Sequence, residues 1–519
     1  MNVDAIRTWS RRQLGCAASG LVAAVLGSRF VEHAAATENG ETDPEYNGGW
    51  QQATAEAMTR PDIVMIVLDD MRWSDYSVMS LTQALVGDAG TTFPNYIVTS
   101  PTCTPSRVSF FRGQYAHNHD VGYGGGDSSV WSLYHGTGLD QDTIAVWLQN
   151  AGYRTGQIGK HLNHVKGVNS AGPGWNQWVV PRRLKPFNYE LSVNGSLEAH
   201  GDAEEDYLTD VLARKATEFI SSTPEETPLF LYFAPKAPHK PVVPAPRHVG
   251  TFADIHLDQS GSFNEADMSD KPQNMQRPPL TPEEIAWLDK LNQGRLETLL
   301  AADEAVAQIV ETLEAVGRLE NTYVVFTSDN GYALGEHRDE AKSAPYEEAI
   351  RVGMMVRGPQ VPVGHVNPTL VANIDLAPTF AEIAGTPIPD FVDGRSMLGA
   401  LHGGESGRKA LLIEIDSPVG QDADDDEDAV MVNDEGIRIA GRVRSSWRGI
   451  RTDDWLYVEW GVPAVDYELY DLNADPAQLQ SLDADPAYAN TVEELSTWLH
   501  TLQDCAAETC RQAENAPPP

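Results

Sequence analysis

Two uninterrupted apolar runs constrain the fold of this chain more than any other feature. Residues 62–68 read Asp-Ile-Val-Met-Ile-Val-Leu, and residues 322–327 read Thr-Tyr-Val-Val-Phe-Thr. A strand with one wet face alternates polar and apolar residues. A run that is apolar almost throughout predicts a strand buried on both faces, as in a parallel sheet covered by helices. Ahead of the second run, Leu296, Leu299, Leu300, Val306, Ile309, Val310 and Leu313 recur at helical spacing, which predicts a helix over 296–318 with Gly317 as its stop. Helix and strand in alternation predict an α/β fold. Each run ends in a pair of oxygen donors, Asp69-Asp70 after the first and Asp329-Asn330 after the second. Ligands of open α/β sheets sit beyond the carboxyl ends of the strands, so both pairs fall on the same edge. Hard oxygen donors of this kind suit Ca²⁺ or Mg²⁺.

Between the two runs lies Cys103-Thr104-Pro105-Ser106-Arg107. Pro105 sits where a first-turn proline would, with Val108 and Phe111 after it, so Cys103 is expected at a helix N-terminus. Free N–H groups and the positive end of the helix dipole favour anions there, and Arg107 adds a permanent charge one turn in. Three further segments place cations and histidines just after strands. Lys160, His161 and His164 follow a strand expected over 153–158. His239, in Ala237-Pro238-His239-Lys240-Pro241, follows an apolar run over 229–233, and Lys342 lies beyond the Ser328-Asp329-Asn330-Gly331 turn. Lys166 and Lys185 read as surface residues and His337 as structural.

The segments VLDDMR, SPTCTPSR, GQYAHNHDVG, GYRTGQIGKHLN, APHKP, TSDNGYALGEHRDEAKSAPYEEAIRV and ELYDLNADP together resemble the type I sulfatase family of the alkaline-phosphatase-like superfamily. Within it they are most similar to the glucosamine-6-sulfatase and extracellular heparan-sulfatase branch. The resemblance implies a large mixed sheet sandwiched by helices, with a smaller C-terminal α+β domain. It implies hydrolysis of a sugar or aryl O-sulfate to alcohol and inorganic sulfate. Cys103 would be oxidised to formylglycine by a formylglycine-generating enzyme, and its hydrate would be the nucleophile. Asp69, Asp70, Asp329 and Asn330, together with the modified Cys103, would hold a divalent cation, usually Ca²⁺, with Mg²⁺ as the alternative. Arg107, Lys160 and Lys342 would neutralise the transferring group, and His239 would protonate the leaving alcohol or contact sulfate. Many arylsulfatases carry a histidine two residues after the lysine equivalent to Lys160; here Leu162 stands there. His161 and His164 are then the candidates for substrate contact and for the base. Phosphonate monoester hydrolases share C-T-P-S-R and are the competing reading, followed by a non-catalytic anion or sugar binder.

The remaining features concern address and surroundings. A twin arginine, Arg11-Arg12, an apolar stretch over 14–26 and the small residues Ala34-Ala35-Ala36 predict a Tat signal over 1–36, and hence export through the Tat translocase to a periplasmic or extracellular location. The apolar stretch is too short for a permanent membrane span. Residues 37–60 read as a polar lead-in, 61–404 as the catalytic domain and 405–519 as the smaller domain. A net charge of −38 argues against nucleic acid as a partner, and an acidic run over 422–428 reads as a solvated loop. Export also makes a disulfide between Cys505 and Cys510 plausible.

Overall fold

In the computed structural model the described residues are 60–122, 129–163, 171–340, 342–416, 445–461 and 463–517. The predicted signal, residues 37–59 of the lead-in, His164 and the acidic run over 422–428 lie outside them. The first apolar run is β1 (Asp62–Leu68), buried along its whole length. Its side chains alternate between two cores: Ile63, Met65 and Val67 enter one, Val64, Ile66 and Leu68 the other. The strand therefore needs no polar face.

Four more strands complete the middle of the sheet: β2 (Arg154–Gly159), β3 (Leu229–Ala234), β4 (Thr322–Ser328) and β5 (Met354–Arg357). Across the sheet they run β5-β4-β1-β3-β2, within ten strands among the described residues. β4, β1, β3 and β2 are parallel and β5 runs against β4. Helices α1 (Cys103–Arg112), α2 (Leu208–Ser221), α3 (Pro282–Ala315) and α4 (Leu376–Ile383) cover the faces. Val108, Phe111 and Phe380 from α1 and α4 pack on one core, and Leu212, Phe219, Leu299 and Val306 from α2 and α3 on the other.

The long helix α3 starts fourteen residues before its predicted start and ends three before its predicted end. Its first turns continue the helical spacing through Ile285, Leu288 and Leu291, and they open with a capping box. Thr281 Oγ1 accepts from the Glu284 N–H at 3.2 Å, and the Glu284 carboxylate accepts from the Thr281 N–H at 2.7 Å.

The C-terminal part is an antiparallel sheet of β6 (Ala410–Ile415), β7 (Trp447–Thr452), β8 (Trp455–Trp460) and β9 (Asp466–Asp471), joined in sequence. Helix α5 (Ala489–Gln503) packs on it. Its core is shared with Ile97, Tyr115, Tyr346 and Ile350 of the larger part. Cys505 and Cys510 are disulfide-bonded just after α5. His117, shortly after α1, reaches this loop. Its Nδ1 lies 2.8 Å from Glu414 Oε1 and its Nε2 2.9 Å from the Cys505 carbonyl. No helix among the described residues is long and apolar enough to cross a membrane.

Candidate active site

The pairing of β1 with β4 places Leu68 opposite Ser328, and the Asp329 N–H donates to the Leu68 carbonyl at 3.1 Å. The two acidic pairs consequently leave the sheet side by side. Asp70 turns at φ 68°, a left-handed conformation that costs a non-glycine residue about 1–2 kcal/mol. That turn brings its N–H to 3.2 Å from Asp329 Oδ1. The Asn330 side-chain amide donates to Asp70 Oδ1 at 2.6 Å.

Helix α1 enters the same edge with Cys103 in its first turn and Gly113, at φ 66°, as its left-handed C-terminal stop. Every residue of the helix is buried. Cys103 Sγ lies 3.3 Å from Asp69 Oδ1, 3.9 Å from Asp70 Oδ1 and 2.7 Å from Lys342 Nζ. Lys342 also sits 2.6 Å from Asp70 Oδ1, and Lys160, just beyond β2, sits 2.6 Å from Asp69 Oδ2. One turn into α1, Arg107 Nε donates to Asp329 Oδ2 at 2.8 Å. Its Nη1 donates to the Lys160 carbonyl at 3.0 Å. His239, after β3, points Nε2 at Asp70 Oδ2 across 3.6 Å. Its Nδ1 donates to the Lys240 carbonyl at 2.6 Å, which places a proton on that nitrogen and leaves Nε2 facing the cluster.

The electrostatics follow from three carboxylates set against three fixed cations. Burial raises the Asp69 carboxyl, but Lys160, His239, Arg107 and Lys342 outweigh it and hold the group well below the usual range. Burial is likewise overcome at Asp70, chiefly by Lys342 and His239, which bring it down to about 2. At Asp329 burial wins and pushes the carboxyl up. Burial also pushes the Cys103 thiol well up, against the pull of Lys160 and Lys342, so the sulfur is not a thiolate at neutral pH.

Two buried atoms stand without hydrogen-bond partners here: the acceptor Asn330 Oδ1 and the donor Arg107 Nη2. Orphaned buried groups are costly and mark positions that a ligand would satisfy. Asn330 Oδ1 together with the oxygens of Asp69, Asp70 and Asp329 makes a donor set that fits a hard divalent cation. Asp69, Asp70, Cys103 and His239 each bring a ligand atom within 4.8 Å of the others. Arg107 Nη2 is suited to an incoming anion.

The structure thus brings together Asp69, Asp70, Cys103, Arg107, Lys160, His239, Asp329, Asn330 and Lys342. His161 it places elsewhere. Successive residues leave a strand end in opposite directions, and with Lys160 at the cluster the His161 ring turns into the aromatic core. There it stacks on Phe111 at 5.0 Å, meets Trp178 at 5.1 Å and hydrogen-bonds Gln157 at 3.1 Å. Burial lowers it to about 3, so it is neutral. The expectation that His161 contacts substrate is corrected accordingly. Sequence reasoning also passed over Arg295, whose guanidinium donates to the main-chain carbonyl of Asp70 at 2.5 Å. The signal was present: a cation among Leu288, Leu291, Leu296 and Leu299 on the buried side of α3 has to find an acceptor.

The family model described as Sulfatase matches residues 61–386. The N-acetylglucosamine-6-sulfatase of Capra hircus is 31% identical over 487 residues, covering 88% of this chain and 86% of that protein. The extracellular sulfatase SULF-1 homolog of Drosophila melanogaster is 35% identical over 353 residues, 66% of this chain but only 31% of that longer protein. Among solved structures, BT4656 in complex with its substrate D-glucosamine-2-N,6-O-disulfate superposes with a TM-score of 0.71 at 23% identity. That alignment covers 88% of this chain and 99% of the other.

Proposed function

This chain belongs to the sulfatase family and is a sulfuric ester hydrolase, and on that premise we propose that it removes a 6-O-sulfate from a glucosamine unit with the oxidised side chain of Cys103 as nucleophile. The observation that carries the reading is the meeting of Cys103 Sγ with Lys342 Nζ at 2.7 Å and Asp69 Oδ1 at 3.3 Å, at the first turn of a buried helix. A thiol raised by burial is a poor nucleophile at neutral pH. Oxidation to formylglycine and hydration would supply an oxygen nucleophile at that position instead.

Asp69, Asp70, Asp329 and Asn330 would hold the divalent cation that the family generally uses, Ca²⁺ in our reading. When bound, the ion acts as a Lewis acid that favours the ionised form of the nucleophile and draws charge from the sulfate oxygens. The chain's own cations do the rest. Lys342 stands beside Cys103, Lys160 beside Asp69, and Arg107 keeps an unpaired Nη2; these three would neutralise the negative charge that grows on the sulfuryl oxygens in the transition state. His239, with Nδ1–H committed to the Lys240 carbonyl and Nε2 turned towards Asp70, would act as the acid by giving the leaving oxygen a second proton, held on Nε2. The preference for 6-O-sulfated glucosamine rests on the goat relative and on the substrate held by BT4656.

Two observations on one preparation test this. Mass spectrometry of the peptide containing Cys103, from the native host, reads the aldehyde or its hydrate against the thiol. Steady-state rates on N-acetylglucosamine 6-sulfate, an aryl sulfate and an aryl phosphonate monoester rank the substrates. Oxidised Cys103 with the sugar sulfate fastest supports the proposal; an unmodified thiol in active protein, or phosphonate fastest, refutes it.

The fold also supports our division at residue 405, ahead of β6, into a catalytic and a smaller domain. We place the enzyme outside the cytoplasm by way of Tat. Replacing Arg11 and Arg12 by lysine would then leave it inside, and unchanged export would sink that route.

A further inference from the structure

Arg295 is a fully buried arginine that the reaction described above does not use. It stands on α3, beneath the loops that follow β1 and β3. Its Nη2 donates to the Asp70 carbonyl at 2.5 Å and its Nη1 reaches the Pro238 carbonyl at 3.5 Å. Its charge lies 3.7 Å from Asp75 Oδ2, and the guanidinium carbon sits 4.6 Å from the centre of the Tyr332 ring. Asp75 in turn accepts from the Arg72 N–H at 3.0 Å, two residues past Asp70.

These contacts converge on two pieces of backbone that the site depends on. Asp70 is held at φ 68°, and a strained residue keeps such a conformation only when its surroundings over-determine it. The Pro238 carbonyl belongs to the peptide link that leads into His239. A planar guanidinium can hold both carbonyls at once with its fork, whereas an ammonium is a single point donor. We propose that Arg295 is a positioning residue of the sulfatase reaction, fixing Asp70 for the cation and His239 for the leaving group by gripping the carbonyls of Asp70 and Pro238. The inference rests on the site assignment proposed above, and it adds α3 to the strand ends and helix α1 that build the site.

The test compares Arg295→Lys with Arg318→Lys in the full chain. Arg318 is also buried and pairs with Asp62 at 2.9 Å, at the opposite end of β1, so it reports what losing an arginine does to the fold alone. Calorimetric Ca²⁺ titration, kcat, KM and Tm are read on each. Residues that orient metal ligands from behind typically contribute about 10–100-fold to affinity or rate. Arg295→Lys is therefore expected to weaken Ca²⁺ binding at least about tenfold and lower kcat by a similar factor, with KM changed far less. Arg318→Lys is expected to lower Tm while leaving Ca²⁺ affinity and kcat as they were. An Arg295→Lys protein that changes only in Tm, as the Arg318 variant does, overturns the proposal. Should Arg295→Lys fail to fold, Asp75→Asn keeps the arginine but loosens its anchor, and a smaller shift in the same two quantities is the expected result. An unchanged Ca²⁺ affinity in Asp75→Asn overturns the proposal as well. A wild-type protein that binds Ca²⁺ yet cleaves no sulfate ester would refute the reaction, while the calcium shift in Arg295→Lys would still support the grip on Asp70.

Discussion

His117 offers a stability prediction whose size can be worked from the structure. Both its ring nitrogens face acceptors, Glu414 Oε1 at 2.8 Å and the Cys505 carbonyl at 2.9 Å, so both must carry protons for the arrangement to be satisfied. Burial opposes the charge, but the Glu414 carboxylate and the Cys505 carbonyl outweigh it and raise the imidazole from 6.5 to about 9. A group whose pKa is higher folded than unfolded lends stability that is complete below its unfolded value and is lost as pH rises through its folded value. The window is therefore about pH 6.5 to 9, and a shift of this size corresponds to about 3 kcal/mol. The side chain is only 14% exposed, so solvent screening takes little of it. We expect urea unfolding of the wild type to lose about 3 kcal/mol more between pH 6.5 and 10 than unfolding of His117→Gln does. The two proteins are measured at matched ionic strength. Parallel pH profiles would refute the reasoning, because they would mean that His117 binds no extra proton in the folded state.

Three further outcomes follow from the same geometry. Lys342→Met removes a cation 2.7 Å from Cys103 Sγ, and a loss of about 10²–10³ in kcat on an aryl sulfate is expected, the range for deleting one preorganised donor. A near-wild-type rate would take Lys342 out of the transition state. Asn330→Ala deletes the orphaned acceptor and is expected to raise the dissociation constant for Ca²⁺ by at least about tenfold in calorimetry, whereas an unchanged constant would remove Asn330 from the ligand set. Joint replacement of Cys505 and Cys510 by alanine opens a loop of sequence separation 5, for which chain entropy gives about 2 kcal/mol. Equal Tm values with and without the bond would show that the α5 end is held by other contacts.

The central strands were legible because burial on both faces writes itself into sequence: 62–68 and 322–327 were predicted within one residue of β1 and β4. The two acidic pairs were legible for a related reason, since a parallel in-register pair of strands brings its ends together. What stayed hidden depends on three-dimensional surroundings. In the first fourteen residues of α3 the stripe of Ile285, Leu288 and Leu291 is interrupted by the buried polar side chains of Asn292 and Arg295, and the start is set by the Thr281–Glu284 cap. His161 was a candidate because Leu162 stands where many arylsulfatases carry a histidine, but which way a ring turns after a strand is decided by the aromatic space around it. β6 was not foreseen, because whether a short run becomes a strand depends on the partner β7 that it meets.

The burial of Cys103, at 2% exposure on a helix with no exposed residue, has a consequence for how active enzyme accumulates. On the proposed oxidation of Cys103, a maturation enzyme would need the cysteine in an open chain, and folding would close that opportunity for as long as the native state lasts. Each molecule would then be sorted once, at synthesis, by whichever comes first. The thiol and its oxidised counterpart differ by a few atoms inside the same packed edge, so both have the same core to hold them together. Preparations would then differ in specific activity while sharing one melting curve, and the proportion of working molecules would record the supply of the maturation enzyme in the cell that made them.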